Sequence, residues 1–227
     1  MREDGLFIGL IGIGLLLFLI GFAFSDDMMA QSQWTASPLK VDGLDEEWLS
    51  DNLYFEKKAN VNFAFRNDGR NLYILFVFRN PKSLSTIDAT GMTIYCSPEG
   101  IKQKNNGIIF IKKNIPADQF ITLLENQGTL LTEEEKGLFR FRSQYPIFEA
   151  YAIDNTEKIL MPAGPQPDVE PPAFRAAKKE NIVTYEFRIP LASRERHPAG
   201  IGAEPGKTIK VFFEWGGSAK KNTKSQG

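Results

Sequence analysis

An acidic cluster near residue 45 is the first group of side chains that could do chemistry. Asp42, Asp45, Glu46 and Glu47 place four carboxylates within six residues. Carboxylate oxygens are the ligands that Ca²⁺ prefers, so the cluster could hold calcium. The same residue types are typical of a helix N-terminus, where acidic side chains cap N–H groups and interact favourably with the helix dipole. We favour the helix N-terminus and expect no cofactor, with calcium as the alternative.

The chain has a single histidine and a single cysteine, which restricts its catalytic chemistry. His197 could be a general base or a haem ligand, but its polar flanks favour a solvated loop histidine. A Ser-His-Asp triad is not indicated, because the chain has no GxSxG motif. Cys96 follows an apolar run and is predicted to be a buried hydrophobic residue, and one cysteine excludes an internal disulfide. We therefore predict that the protein is not an enzyme.

Three tryptophans could act as flat platforms for sugar stacking. Trp48 follows the acidic cluster, and we favour a core anchor over a platform there, because large aromatic residues dominate cores. Trp215 alternates with apolar residues and is also predicted to be core. Trp34 could pack on the domain or lie at a membrane interface, where tryptophan is enriched.

The composition excludes several classes of protein. The chain has 227 residues, with 27 Lys and Arg against 28 Asp and Glu, for a net charge of −1. Such a balance gives no basic surface for nucleic acid, so no nucleic-acid partner is expected. The hydrophobic fraction of 42% is typical of a folded domain and not of a disordered chain.

The first thirty residues are predicted to be a signal peptide or a membrane anchor. Residues 5–24 carry no charge, and twenty helical residues span about 30 Å, the thickness of a bilayer core. A buried core helix is the disfavoured alternative. The location then expected is secreted, periplasmic or membrane-anchored, with a domain over residues 31–216 outside the cytoplasm. Residues 217–227 are rich in Gly, Ser, Asn and Lys and are predicted to be a disordered tail.

Alternating apolar residues predict strands over most of the domain. In Val183–Ile189 every second residue is apolar, and Leu72–Phe78 is apolar throughout, which is typical of a strand buried on both faces. Turn signals such as Asp68-Gly69 separate the strands. The predicted strands are 61–66, 72–78, 92–96, 108–112, 138–142, 147–153, 181–190 and 207–215. The pattern favours an all-β antiparallel sandwich.

Two short helices are predicted as an insertion between strands. Residues 116–125 space Phe120, Leu123 and Leu124 on one helical face, and Thr132 with Glu135 forms a capping-box signature. Residues 162–172 are rich in proline and are predicted to be an extended surface loop, with a domain boundary as the disfavoured alternative.

An ordered set of motifs resembles family 9 carbohydrate-binding modules and their DOMON-like relatives. The opening motif is Val41–Trp48, with its Asp-Gly pair, Asp-Glu and Trp. An Asn-Leu-Tyr strand at Asn71–Ile74 and a strand running into Ser97-Pro98 follow in the family's order. A Tyr-Glu strand ending in Ile-Pro, at Tyr185–Leu191, completes the set. The resemblance covers most of residues 38–215 and implies an immunoglobulin-like sandwich, preceded here by the N-terminal hydrophobic helix, with a non-catalytic sugar-binding role.

The chain departs from the family at the expected sugar platforms. Ile87 stands where binding members have an aromatic residue before the third motif, and no aromatic residue follows Trp215. Gly91, Thr93 and Ser97 lie at or near acidic positions of the family. The fold implied by the resemblance could therefore persist without the usual site.

Three functions follow as hypotheses. The first is glycan binding through one face of the sandwich, with Tyr145, Tyr151 and Phe174 as the remaining candidates for stacking. The second is a structural or interaction domain that docks to a cell-envelope protein, with the sugar site lost. The third is a haem-binding relative, because some DOMON-like domains use Met or His ligands; here these would be Met92, Met161 or His197.

Overall fold

Two β-sheets pack face to face and enclose an aromatic core. A computed structural model describes residues 29–79, 81–98, 107–154, 156, 158–160, 168–204 and 206–215. The strands are β1 (Ser32–Trp34), β2 (Tyr54–Glu56), β3 (Val61–Asn67), β4 (Asn71–Phe78), β5 (Met92–Pro98), β6 (Gly107–Pro116), β7 (Gln144–Ile153), β8 (Ile159–Leu160), β9 (Ala173–Lys179), β10 (Ile182–Pro190) and β11 (Ile209–Trp215). The helices are α1 (Pro81–Thr90), α2 (Ala117–Asn126), α3 (Glu133–Arg140) and a 3₁₀ turn (Glu46–Trp48). The predicted all-β, two-sheet architecture is confirmed.

The two sheets combine strands from distant parts of the chain. The first sheet has the order β1-β3-β4-β10-β9, and β2 also pairs with β3. The second sheet has the order β11-β5-β6-β7-β8. The pairing is antiparallel except between β1 and β3, which run parallel and so depart from the purely antiparallel prediction.

Aromatic side chains from both sheets meet in the core. Phe76 on β4 contacts Phe213 on β11 with ring centroids 4.6 Å apart. Phe110 on β6 contacts Phe187 on β10 at 4.9 Å. Edge-to-face contacts of this kind add to the stabilisation that burial provides. Every residue of β4 is buried, as its continuous apolar run predicted.

The N-terminal segment covers the outer face of the first sheet. Leu39 and Trp48 form a second apolar cluster with Tyr73, Leu75 and Val77, which point away from the inter-sheet core. Trp48 is only 2% exposed, so the predicted core anchor is confirmed. This cover explains why β4 is buried on both faces.

A buried carboxylate holds this segment on the sheet. Glu186 on β10 accepts hydrogen bonds from the backbone N–H groups of Asp42 (3.0 Å) and Gly43 (3.1 Å). Its other oxygen accepts a bond from the indole N–H of Trp48 (3.0 Å). Burial raises the pKa of Glu186, whereas these three donors act in the opposite direction. The opening motif at Val41–Trp48 and the Tyr-Glu strand at Tyr185–Leu191 therefore meet at the side chain of Glu186.

Gly43 is required at this contact. Its φ is +86°, and a Cβ placed there would lie 2.8 Å from the carbonyl carbon of Ala176 on β9. Thr184 also donates a hydrogen bond to the carbonyl oxygen of Gly43. Only glycine combines this conformation with so close an approach of two backbones.

Several predicted elements need correction. The two helices of the insertion are present, and Thr132 and Glu135 form the capping box in both directions. The strand predicted at residues 138–142 is wrong, because α3 starts at this capping box and continues through Arg140. The sequence patterns did not predict α1, β1, β2, β8 or β9.

Part of the sequence-based prediction concerns residues outside the described ranges. The hydrophobic segment 5–24 and the tail 217–227 lie there, as do residues 162–167 of the proline-rich stretch. Across the described residues, no helix has the length and apolar character needed to cross a membrane. Strands on both sides of the proline-rich stretch join in each sheet.

Candidate functional site

The outer face of the second sheet presents side chains that alternate with the core residues. Ile94, Phe110 and Ala152 point into the core. Because strand side chains alternate, their neighbours point outward. The register places Thr93, Ile109 and Tyr151 side by side across β5, β6 and β7. We call the outward-pointing residues of β5, β6 and β7 the outer face.

Tyr151 lies beside a charged pair on this outer face. The carboxylate of Glu149 is 2.7 Å from the ammonium group of Lys113, on the neighbouring strand β6. Burial, together with a hydrogen bond to Glu149, raises the pKa of Tyr151. The hydrogen bond to Glu149 also raises the pKa of Lys113, which stays protonated. Tyr151 remains neutral and half-buried, with its side chain held by Glu149.

This group combines the features that recognise a polar ligand with an apolar side. A tyrosine ring on the surface of a sheet can contact the apolar face of a ring-shaped ligand. Glu149 can accept hydrogen bonds and Lys113 can donate them. Half of the Lys113 side chain is exposed, at 47%, so its ammonium group is accessible. The raised pKa values of Lys113 and Tyr151 keep both side chains protonated, so neither is an activated nucleophile.

Tyr145 lies on the same face of β7 but serves the helical insertion. It is six residues from Tyr151, or about 20 Å along the strand. Its ring stacks on Phe120 of α2 at 4.5 Å with an angle of 8° between the planes. Its hydroxyl donates a hydrogen bond to the carbonyl oxygen of Phe139 (2.8 Å), and Arg142 lies 5.4 Å from the ring centre. Tyr145 thus holds α2 and α3 against the sheet.

Phe174 is a core residue, which corrects its prediction as a stacking residue. Its side chain is 3% exposed. The ring contacts Phe148 at 5.0 Å and Phe110 at 5.5 Å, between the two sheets. Residue 174 points inward because its partner on β10, Phe187, also points inward. Of the three predicted stacking residues, only Tyr151 keeps a partly accessible ring away from the insertion.

The acidic cluster forms no metal site among the described residues, where no group of three or more His, Cys, Asp or Glu side chains is placed to hold an ion. Asp42 pairs with Lys40 (3.2 Å) and accepts a hydrogen bond from the N–H of Leu44 (2.9 Å). Asp45 precedes the 3₁₀ turn without capping it through its side chain, so the expected capping role is wrong for this residue.

The residues considered for haem or base chemistry point into the protein. Met92 is 1% exposed within the core cluster. His197 is 6% exposed, so its prediction as a solvated histidine is wrong. Burial raises the pKa of Cys96 to about 12, which keeps the thiol protonated and unreactive. Met161 lies outside the described residues.

Among the remaining platform positions, Trp215 agrees with its predicted core role. Ile87, at the expected aromatic position, is buried in the core at 4% exposure. Trp215 packs on the core with its ring 5.9 Å from that of Phe78. Trp34 is 67% exposed at the end of β1.

Sequence reasoning identified Tyr151 but not its two polar neighbours. Lys113 and Glu149 each continue an alternating pattern on their strands, so their outward direction could have been inferred. Their contact depends on the pairing register of β6 and β7. The helical insertion separates these two strands, so the sequence pattern of each strand does not predict that register.

Comparisons of the chain with protein-family models, with curated proteins and with solved structures find no match. The geometry of the outer face is therefore the basis for the functional proposal.

Proposed function

We propose that this protein is a non-catalytic binding domain that takes a glycan on the outer face of its second sheet. The observation that carries the proposal is the position of Tyr151, a half-buried residue on the outer face of the sheet beside Glu149 and Lys113. Pyranose rings have apolar faces that contact aromatic side chains and hydroxyl groups that bond to carboxylates and ammonium groups.

The resemblance to family 9 carbohydrate-binding modules supports this proposal. The opening Asp-Gly–Trp motif and the Tyr-Glu strand meet at Glu186. These contacts explain why the two motifs occur together in one chain. We propose the finer fold of that family, an immunoglobulin-like and DOMON-like sandwich. We also propose that residues 5–24 export or anchor the domain, which would place it outside the cytoplasm.

The test is a glycan-binding screen of the full chain in mild detergent, followed by calorimetry with any glycan that binds. Tyr151→Ala should weaken binding by about tenfold or more, as loss of a central aromatic contact does. Tyr151→Phe should keep most of the affinity, because the ring remains. Phe55→Ala is the matched control, since Phe55 is an aromatic residue, 48% exposed, on the other sheet.

Two results would reject glycan binding at this face. One is a broad glycan panel without any measurable binding. The other is a binding glycan whose affinity is the same for Tyr151→Ala and for the unmodified chain.

A second function, docking to another protein, is favoured by a separate observation. Leu138 and Phe141 at the helical insertion are 62% and 89% exposed, and Leu130 in the loop before α3 is 97% exposed. Exposed apolar side chains that lie together are typical of interaction surfaces. This surface lies beyond the part of β7 that carries Tyr151.

A further inference from the structure

One face of α3 carries apolar residues that the rest of the described chain does not cover. The helical repeat places Glu134, Gly137, Leu138 and Phe141 on this face. We call these four residues the α3 face. Leu138 and Phe141 are mostly exposed.

The opposite side of α3 is fixed to the protein. Phe139 contacts Phe120 at 5.7 Å and Tyr145 at 5.6 Å. Lys136 pairs with Glu125 of α2 at 2.9 Å, and Arg140 pairs with Asp118 at 2.8 Å. Because these contacts fix the orientation of α3, the α3 face points to solvent in a defined direction.

Gly137 stands in the middle of the α3 face, where no contact within the described part of the chain requires a glycine. Glycine destabilises a helix interior relative to alanine. No atom among the described residues would lie within 4 Å of a Cβ at this position. A glycine here allows another backbone to approach closely, as small residues do where two helices cross.

The charges along α3 indicate which partner fits. The first turn is acidic, with Glu133, Glu134 and Glu135, and the last turn carries Arg140, followed by Arg142. A second α3 running antiparallel about a two-fold axis would bring Glu134 of one copy close to the exposed Arg142 of the other, whose guanidinium lies beside the ring of Tyr145 within each copy. The same axis would bring Gly137 and Leu138 of both copies together at the centre.

We propose that the α3 face binds the α3 face of a second copy of this chain and forms a two-fold symmetric dimer. The surface of an eight-residue helix is smaller than the roughly 800 Å² per partner of a standard interface. The dimer is therefore expected to be weak and to depend on concentration, or on a shared membrane that raises the effective concentration.

The test is sedimentation equilibrium of the full chain in density-matched detergent micelles over a wide range of protein concentration. The unmodified chain should shift from monomer to dimer as concentration rises. Leu138→Ser and Phe141→Ser should each weaken association by about tenfold. Leu49→Ser is the matched control, because Leu49 is 79% exposed but lies elsewhere, and it should not change association.

A charge exchange tests the symmetric geometry. Glu134→Arg alone and Arg142→Glu alone should each weaken the dimer, because each places like charges together. The double variant should restore association, because the pair is rebuilt in the opposite sense between copies. A merely exposed surface would not show this rescue.

Gly137→Ala separates helix stability from association. Alanine should raise the melting temperature, because it favours the helix and meets no neighbour in the monomer. The same change should weaken the dimer, because the added methyl groups keep the two helices apart. A monomer at all concentrations, or a dimer unaffected by changes at Leu138, Phe141, Glu134 and Arg142, would overturn the proposal.

Discussion

At the scale of single residues, His197 shows how burial fixes a protonation state. The imidazole is 6% exposed, and its Nδ1 accepts a hydrogen bond from the backbone N–H of Ala199 (3.1 Å). Nδ1 can accept this bond only when it carries no proton. Burial lowers the pKa of His197, because the charged ring would lose its hydration.

His197 should make stability depend on pH in a predictable direction. Its pKa in the folded protein lies below the unfolded value of about 6.5, so the unfolded state binds the proton first. The contribution to stability is therefore complete above about pH 6.5 and is lost as the pH falls through the folded pKa. His197→Asn keeps an acceptor near Nδ1 and should remove this part of the pH dependence.

The measurement is the free energy of unfolding in urea between about pH 7.5 and pH 5, where histidine titrates. The unmodified protein should lose more stability than His197→Asn across this range. Parallel curves for the two proteins would contradict the predicted role of the imidazole.

The sequence placed His197 in solvent because charged residues surround it. The chain turns at this point instead, and the N–H of Gly200 donates to the carbonyl oxygen of His197 (2.8 Å). Gly200 lies so close to Ala192 that a Cβ would be 2.3 Å from the carbonyl oxygen of that residue. These are contacts between turns, which a pattern of polar and apolar residues does not encode.

At the scale of elements, Glu186 connects the N-terminal segment to β10. Glu186→Gln should lower the free energy of unfolding by about 1–3 kcal/mol, because one amide end would place its N–H groups against buried donors. The variant should also shift the fluorescence of Trp48 towards the red as the segment loosens. Urea unfolding monitored by fluorescence measures both effects.

A matched control for this change is Glu204→Gln, which alters an exposed carboxylate in a loop. It should change the unfolding free energy by less than about 0.5 kcal/mol, as most surface substitutions do. Equal stability of Glu186→Gln and the unmodified chain would show that the carboxylate does not hold the segment.

The elements that the sequence predicted well carry a clear local signal, either a regular spacing of apolar residues or a capping motif. In β10 and β11 apolar side chains alternate over whole strands, and the capping box marks the start of α3. In contrast, β9 has the mixed sequence AFRAAKK and is defined by its pairing with β10. Residues 138–142 alternate like a strand, but the local capping signal decides their conformation.

The candidate site was predictable only in part. An aromatic residue on an outward position of β7 can be inferred from alternation, which identified Tyr151. Phe174 looked equivalent, and only the β9–β10 register shows that it points inward. The ion pair between Lys113 and Glu149 likewise depends on a register and not on either strand alone.

At the scale of the whole molecule, each sheet joins early and late strands. In the first sheet β4 pairs with β10, and in the second β5 pairs with β11. Removing either late strand would expose the core of the other sheet, because Phe187 and Phe213 fill the space between them.

This interleaving should make unfolding a single cooperative step. Far-ultraviolet circular dichroism follows the sheets. Tryptophan fluorescence reports on Trp34, Trp48 and Trp215, of which Trp48 is the one buried under the cover of the first sheet. Both signals should change at the same urea concentration. Two separated transitions would show that the N-terminal segment or one sheet unfolds independently.

The distance between paired strands also sets when the protein can fold. Asp42 and Glu186 are 144 residues apart in the chain, and Phe78 of β4 must wait for Val183 of β10. A growing chain emerges from its N-terminus, so the apolar strand β4 is made long before its central partner exists. Until about residue 190 has been made, we expect that strand to stay exposed to chaperones and to aggregation. We therefore expect the complete first sheet to form only late in the synthesis of the chain.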